Sequence, residues 1–205
     1  MTNTRLRARG AVISIGGPPH SGKSVFVLSL FNRLVRDFQK DVFLERACPD
    51  GEGRWSGETS PDHVRRIRRK QPFSEEFVVK KCKSLENLGE RFRIVLVDLG
   101  GKLAPDIEEF FRRSTHCILL SHSQDQLVSW SAAARAAECE VLAAFHSRLI
   151  HDSDGRLSTT TRSTVDIATQ PWSGTLVNLD RNAPSLPYEE AIQEIADALS
   201  RRFLK

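Results

Sequence analysis

A glycine-bounded segment at residues 17–24 constrains this chain more than any other part of its sequence. It reads GPPHSGKS and fits the pattern G-x-x-x-x-G-K-[ST] in full. The β-branched run AVISI precedes it, and a stretch with apolar residues at helical spacing follows. Backbone N–H groups in such a turn surround phosphate, and the dipole at the start of a helix favours anions. The sequence therefore predicts a phosphate cradle between a buried strand and a helix.

The residue types in this segment assign roles to individual side chains. Lys23 is expected to reach the outer two phosphates of a nucleotide as a catalytic residue, and the Ser24 hydroxyl to hold Mg²⁺. Pro18 and Pro19 have no N–H group, so the donors of the cradle begin at His20. The predicted nucleotide-binding set of this loop is Gly17, His20, Ser21, Gly22, Lys23, Ser24 and Val25.

A second motif supplies an acidic partner for the metal. The run RIVLVD at 93–98 is an apolar strand that ends in Asp98, which is predicted to hold Mg²⁺ through water. Leu99 follows at the position where AAA+ and RecA-type motors commonly carry a glutamate. No guanine signature N-K-x-D occurs, which favours ATP over GTP. These features favour a kinase-like or switch-like NTPase.

Strand and helix patterns alternate along the chain. Strands are predicted at 11–15, 41–47, 93–99, 116–121, 141–145 and 175–179, and helices at 22–36, from 60, from 105, at 129–138 and from 187. This alternation predicts an α/β, three-layer P-loop NTPase fold with a mainly parallel sheet flanked by helices, without the helical lid of AAA+ proteins. We expect a single domain over 1–205, with a basic tail at 1–10 and a hairpin or flap at 147–174, where Asp154-Gly155 is a turn pair.

Composition excludes several classes of protein. Hydrophobic residues make up 40% of the chain and charged residues 27%, as in globular proteins, and no apolar run is long enough to cross a membrane. The four cysteines form no C-x-x-C pair, and no signal peptide is apparent. We therefore expect a cytoplasmic protein with reduced thiols. The net charge of +4 is compatible with a phosphate-rich ligand.

Three further segments contain candidate functional residues. In the loop CPDGEGRW after the second strand, Asp50 or Glu52 is a candidate catalytic base, and Arg46 and Arg54 are candidates to pair with phosphate; the alternative is a polar surface turn anchored by Trp55. The run RRIRRK at 65–70 can close over a triphosphate, bind RNA or be a solvated face. In NLDR, Asn178 or Arg181 is predicted to contact the adenine base.

Taken in order, GGPPHSGKS, CPDGEGRW, RRIRRKQPFSEEFV, VDLGG and NLDR resemble the P-loop ATPase domain of the CRISPR-associated ring-nuclease family. The resemblance implies a prokaryotic, cytoplasmic protein that uses ATP and Mg²⁺ in type III CRISPR defence. A ring-nuclease domain and the cyclic oligoadenylate pathway are its implied partners. It also implies functional roles for residues 17–24, the 50–54 loop and Asp98, and for Arg68 or Lys70 as a catalytic cation. No ring-nuclease domain precedes the P-loop in this sequence, so cleavage of oligoadenylates is not carried over.

Two functions follow as hypotheses. The first is an enzyme that hydrolyses ATP or transfers its γ-phosphoryl group to a small or nucleotide-like acceptor. The second is a nucleotide-controlled switch, in which bound ATP orders the 147–174 flap, recruits a partner and promotes homo-oligomerisation. RNA binding through residues 65–70 is a third, separable hypothesis.

Overall fold

The fold is built around one mixed β-sheet. The computed structural model describes residues 10–47 and 75–205. Its seven strands are β1 (Ala11–Gly16), β2 (Val42–Ala47), β3 (Ile94–Leu99), β4 (His116–Ser121), β5 (Glu140–Arg148), β6 (Thr164–Asp166) and β7 (Trp172–Val177). The helices are α1 (Lys23–Phe38), α2 (Glu75–Arg91), α3 (Pro105–Arg112), α4 (Gln124–Ala136) and α5 (Glu189–Phe203).

The strands lie in the order β2-β3-β1-β4-β5-β7-β6. All neighbouring pairs are parallel except β6 and β7, so β6 is an antiparallel edge strand. Strand β1 lies between β3 and β4, and Ile15 is in register with Asp98. The carboxyl ends of β1 and β3 are therefore neighbours, which brings the two predicted motifs to one edge of the sheet.

Two hydrophobic cores cover the two faces of the sheet. Helices α1 and α5 pack on one face around buried residues such as Phe26, Leu30 and Ile195. Helices α2, α3 and α4 cover the other face around Phe110, Phe111 and Trp130. Strands β1 and β3 are buried along their whole length, which explains why their sequences are apolar on both sides. The three-layer α/β fold with a mainly parallel sheet is confirmed.

One helix, α2, has no counterpart in the sequence-based prediction. Its sequence EEFVVKKCKSLENLGER is rich in charge, and only a narrow stripe of Val78, Cys82, Leu85 and Gly89 is buried. The helix predicted from Ser60 lies outside the described residues. Strand and helix ends also differ by a few residues; α4, for example, begins at Gln124 and not near Ser129. Among the described residues, α5 is the single helix that follows β7.

The segment 147–174 combines a turn with the edge strand. Strand β5 continues to Arg148, and an isolated antiparallel bridge joins His151 to Leu157 across the turn that contains Asp154 and Gly155. Strand β6 then pairs with β7. No helix in the described part of the chain is both long and apolar enough to span a membrane.

Candidate nucleotide-binding site

The phosphate loop connects β1 directly to α1, and other parts of the fold hold it closely. Gly17 and Gly22 have φ angles of 140° and 77°, a region that disfavours residues with a Cβ atom. A Cβ on Gly17 would lie 1.9 Å from the carbonyl oxygen of Leu120 at the end of β4. A Cβ on Gly22 would lie 2.5 Å from the Cβ of Leu179, just after β7. The loop is therefore fixed between two strand ends that leave no space for a side chain at either glycine.

The start of α1 has the properties of an anion site. Gly22 occupies the N-cap position without a side chain to cap the helix, and the first turn contains no acidic residue. His20 is exposed with a φ of 62°, while Ser21 is buried. Val25 packs against the core through its side chain, so it can offer only its backbone to a ligand. The first N–H groups of such a helix are available to phosphate oxygens.

Lys23 lies within the curve of the loop. Its side chain is 7% exposed, and its Nζ donates hydrogen bonds to the carbonyl oxygen of Pro18 at 2.6 Å and to the Ser21 hydroxyl at 3.4 Å. The ammonium group therefore points back across the loop and not into solvent. This orientation places a positive charge inside the loop, and contact between Lys23 and the outer phosphates of a nucleotide stays a prediction.

Ser24 and Asp98 meet at the mouth of the loop. Asp98 is 3% exposed, and its carboxylate accepts a hydrogen bond from the Ser24 hydroxyl. The loop after β3 is also close, because a Cβ on Gly101 would lie 2.8 Å from the Pro19 nitrogen. A hydroxyl and a carboxylate in contact are hard oxygen donors, the type that Mg²⁺ prefers. Since Mg²⁺ takes few protein ligands and completes its shell with water and phosphate, this pair fits the ion.

The electrostatics around Asp98 are those of a buried carboxylate in a basic setting. Burial is the largest effect and raises the pKa of Asp98 above its ordinary value of 3.8. The Ser24 hydrogen bond and the positive charges of three side chains, Lys23, Arg46 and Arg181, act in the opposite direction. The net result is a carboxylate that is costly to ionise without a cation. A divalent metal would remove that cost.

Among the described residues, no group of three or more His, Cys, Asp or Glu side chains is arranged to hold a metal ion by itself. A Ser24–Asp98 pair without further protein ligands is the arrangement expected where phosphate oxygens supply the rest of the metal shell. The pair therefore fits a metal ion that is bound together with a phosphate ligand.

Asn178 has a different role from the predicted base contact. Its side chain is fully buried, and its amide binds the backbone of the loop after β5: Oδ1 accepts the N–H of Ile150 at 2.7 Å, and Nδ2 donates to the carbonyl oxygens of Ile150 at 3.2 Å and Ser158 at 2.7 Å. The amide is thus occupied within the protein. Arg181, three residues later, is exposed, and its charge reaches Asp98.

Other predicted residues fall outside the described part of the chain. Asp50, Glu52 and Arg68, the candidate base, its alternative and the candidate catalytic cation, are among them. The structure adds residues that the sequence motifs did not identify, namely Leu120 and Leu179, which pack against the two loop glycines. Both lie at the carboxyl ends of parallel strands, which is the one sequence signal that could have located them.

The fold is similar to those of solved ATPases, although the sequences differ widely. The cell division ATPase MinD of Pyrococcus furiosus aligns with a TM-score of 0.57 at 11% identity, covering 94% of this chain and 99% of that one. A putative plasmid partition protein from Borrelia burgdorferi bound to AMPPNP aligns at 0.54 and 11% identity, covering 91% and 98%. The kinase domain of the Escherichia coli tyrosine kinase ETK aligns at 0.51 and 15% identity, covering 74% and 72%.

No family model matches the chain, and no curated protein sequence is similar enough to count as a match. At these identities, the structural likeness shows the fold alone. The fold is that of the P-loop NTPases of the MinD and plasmid-partition type.

Proposed function

We propose that residues 1–205 form a single P-loop NTPase domain that binds ATP with Mg²⁺ and hydrolyses it. The observation that carries this proposal is the contact between Ser24 and Asp98 at the mouth of a loop that also holds the buried Lys23. A hydroxyl, a carboxylate and an ammonium group in this arrangement are the parts that bind a nucleoside triphosphate and its metal. Solved proteins of the same fold include one bound to AMPPNP, which supports a nucleotide ligand.

The residues of the loop divide the work by their chemistry. The N–H groups from His20 onward and the α1 dipole bind phosphate oxygens, and Lys23 neutralises charge on the outer phosphates. Ser24 and Asp98 hold the metal, which when bound neutralises charge that develops on the β- and γ-phosphate oxygens. The close packing of Gly17 and Gly22 keeps the donors oriented before the nucleotide arrives, which lowers the cost of reorganisation.

The test uses γ-labelled ATP and compares four proteins. Wild type is incubated with ATP and Mg²⁺ beside Lys23→Ala, Asp98→Asn and the control Lys40→Ala, an exposed lysine just after α1. We expect label in free phosphate with wild type and the control, and losses of at least about 100-fold with the other two variants. No release of labelled phosphate by wild type, or release that is unchanged in both Lys23→Ala and Asp98→Asn, would overturn the proposal.

The same assay separates hydrolysis from transfer to an acceptor. Nucleosides, nucleotides and short RNA are added in turn, and label in a new product identifies a kinase-like phosphotransferase. We propose Asp50 or Glu52 as the base in either reaction, because in the sequence both closely follow β2, whose last residues pair with the end of β3 that carries Asp98. Arg68 is proposed as a charge-stabilising residue from the resemblance in sequence motifs. Loss of turnover with retained ATP affinity in Asp50→Ala or Glu52→Ala supports a base; unchanged turnover in both excludes it.

The switch hypothesis makes a different prediction from the enzyme hypothesis. If ATP orders the 147–174 segment and promotes homo-oligomerisation, then apo and ATP-bound protein should differ in mass by light scattering, with slow turnover. Equal masses in both states would favour the enzyme alone. RNA binding through residues 65–70 should be strongly salt-dependent, and its absence at low salt would exclude it.

A role in type III CRISPR defence stays a prediction from the resemblance in sequence motifs. The structural likeness does not bear on this role or on a ring-nuclease partner. Calorimetric titration of the domain with cyclic tetra- and hexaadenylate tests the pathway, and co-purification with a ring-nuclease domain tests the partner. We expect heat of binding in at least one titration. The absence of binding heat in both would contradict this prediction and leave the ATPase proposal unaffected.

A further inference from the structure

Arg46 lies next to Asp98 in the sheet. It is the fifth residue of β2, and β2 pairs in parallel with β3 so that Arg46 and Asp98 are direct partners in register. Partners in register on parallel strands project to the same face, about 4.8 Å apart. Because Asp98 projects toward the start of α1, where it contacts Ser24, Arg46 is on that face too.

The alternation of side chains along β2 supports this placement. Val42 and Leu44 belong to the core under α1, and Arg46 continues the same period of two. The intervening Glu45 projects to the opposite face, where it forms an ion pair with Lys81 of α2. Arg46 is therefore half-buried on the α1 side of the sheet, at the carboxyl-end edge from which the phosphate loop leaves β1.

The position implies contact with the terminal phosphate. A metal held by Ser24 and Asp98 would neutralise charge on the outer phosphates of a bound nucleotide, so the γ-phosphate is expected on the Asp98 side of the loop. The arginine side chain is longer than the spacing between strands, and its planar guanidinium donates paired hydrogen bonds to phosphate. Its charge already acts on the Asp98 carboxylate without nucleotide.

We propose that Arg46 is a specificity-determining residue that binds the γ-phosphate and makes the site prefer a nucleoside triphosphate to a diphosphate. This inference rests on the proposed binding of Mg²⁺ and ATP. It adds to that function a direct contact between Arg46 and the γ-phosphate, the group that hydrolysis removes. The affinity of the site then falls when the γ-phosphate leaves.

A purely structural role for Arg46 gives a different result. If its guanidinium only offsets the charge of Asp98, its removal changes the affinities for ATP and ADP by the same factor. If it binds the γ-phosphate, its removal weakens ATP binding and spares ADP binding. The ratio of the two affinities is therefore the informative readout, and a loss of overall affinity is not.

The experiment measures dissociation constants for ATP and ADP in Mg²⁺ by competition with a fluorescent nucleotide. The variants are Arg46→Met, which keeps the apolar stem, Arg46→Lys, which keeps the charge, and the control Glu45→Gln on the opposite face. Arg46→Met should lower the preference for ATP over ADP by about tenfold or more, and Arg46→Lys by a smaller factor. Glu45→Gln should leave the preference unchanged.

The outcomes separate this inference from the function on which it rests. Equal weakening of ATP and ADP in Arg46→Met, or an unchanged ratio, overturns the role of Arg46 while the ATPase proposal stands. Wild type that binds neither nucleotide overturns both. If circular dichroism shows that Arg46→Met does not fold, Arg46→Lys decides alone, because losing the paired donors should still reduce the ratio several-fold.

Discussion

The Asn178 amide offers a sharp test of what holds together the loops at the sheet edge that carries the candidate nucleotide-binding site. Its three hydrogen bonds join the end of β7 to the backbone of Ile150 and Ser158, and the side chain has no exposed surface. Its backbone φ of 56° is in the left-handed region, which asparagine tolerates better than most residues. We consider two substitutions, Asn178→Ala and the nearly isosteric Asn178→Asp.

The magnitude follows from the number of bonds and the burial of their partners. A typical hydrogen bond contributes about 0.5–1.5 kcal/mol net, and an orphaned buried group costs about 1–3 kcal/mol. Asn178→Ala removes three bonds, and the Ser158 partner is itself buried, while Ile150 is half-buried and regains some water. We therefore expect a loss of about 2–4 kcal/mol in the free energy of unfolding.

Asn178→Asp adds a dependence on pH. The new carboxylate keeps the acceptor for the Ile150 N–H, but its second oxygen faces the carbonyl oxygens that Nδ2 now donates to. Ionisation is therefore unfavourable in the folded state, and the folded pKa lies above the unfolded value of about 3.9. The penalty is fully present above the folded pKa and disappears below the unfolded one. Asn178→Asp should be less stable than wild type at pH 7 and partly recover in acid.

Urea unfolding at pH 7 and at acidic pH measures both effects, with Trp172 and Trp130, both buried, as fluorescent reporters. The control is Asn182→Asp, at an exposed position four residues later, which should change stability by less than about 0.5 kcal/mol. If Asn178→Ala has wild-type stability but loses affinity for ATP, the amide reads the base and the assignment to the loop is refuted. Wild-type stability of Asn178→Asp at pH 7 would refute it as well.

Three further measurements test the site and the hydrophobic core. Gly22→Ala should lose more than about 3 kcal/mol of stability, because the new Cβ would lie 2.5 Å from the Cβ of Leu179. The control Gly155→Ala, at a φ of 75° with no atom within 4 Å of the new Cβ, should lose only about 1–2 kcal/mol. Equal losses of the two variants in chemical denaturation would show that backbone strain alone matters. Because the pKa of Asp98 is raised in the folded state, ionisation of this carboxyl lowers the stability of the protein as pH rises above 3.8. Asp98→Asn should therefore unfold at a higher temperature than wild type at pH 7 without ligand, and Mg²⁺ with ATP should not stabilise it further. A lower melting temperature of Asp98→Asn without ligand would contradict this. A hydrogen bond with the Cys139 thiol, followed by burial, raises the pKa of Cys117 well above its ordinary value, so a disulfide reagent should modify Cys117 only after unfolding. Labelling of Cys117 in the folded protein, located by peptide mapping, would contradict its burial.

The parts of the fold that sequence predicts well are those whose structure is decided locally. The segment 11–24 contains its own strand pattern, its turn chemistry and its helix pattern, and β1 and α1 form there. Strand β3 is recognisable because it is buried on both faces and so is apolar almost throughout. Once both strands are parallel neighbours, their loops must meet at one edge, which is why the contact between Ser24 and Asp98 was within reach of sequence reasoning.

The parts that sequence reasoning missed depend on tertiary contacts. Helix α2 buries a narrow stripe among many charged residues, so its apolar periodicity is weak. Asn178 looks like a ligand residue because it follows a buried strand and is polar, but its partners are backbone groups 20 and 28 positions away in sequence. Backbone groups have no sequence signature, so nothing in the order of residues separates an amide that binds a loop from one that binds a base.

Residues 178 and 179 connect two loops through one short segment. Asn178 holds the backbone at Ile150 and Ser158, and Leu179 lies against Gly22 of the phosphate loop. A shift at Gly22 when phosphate binds must therefore be absorbed at Leu179 or passed to its neighbour. Contact alone is not coupling, since transmission requires a segment with two arrangements. Hydrogen exchange at the Ile150 N–H, with and without Mg²⁺ and ATP, measures whether such a second arrangement exists, and it separates a rigid ATPase from a switch.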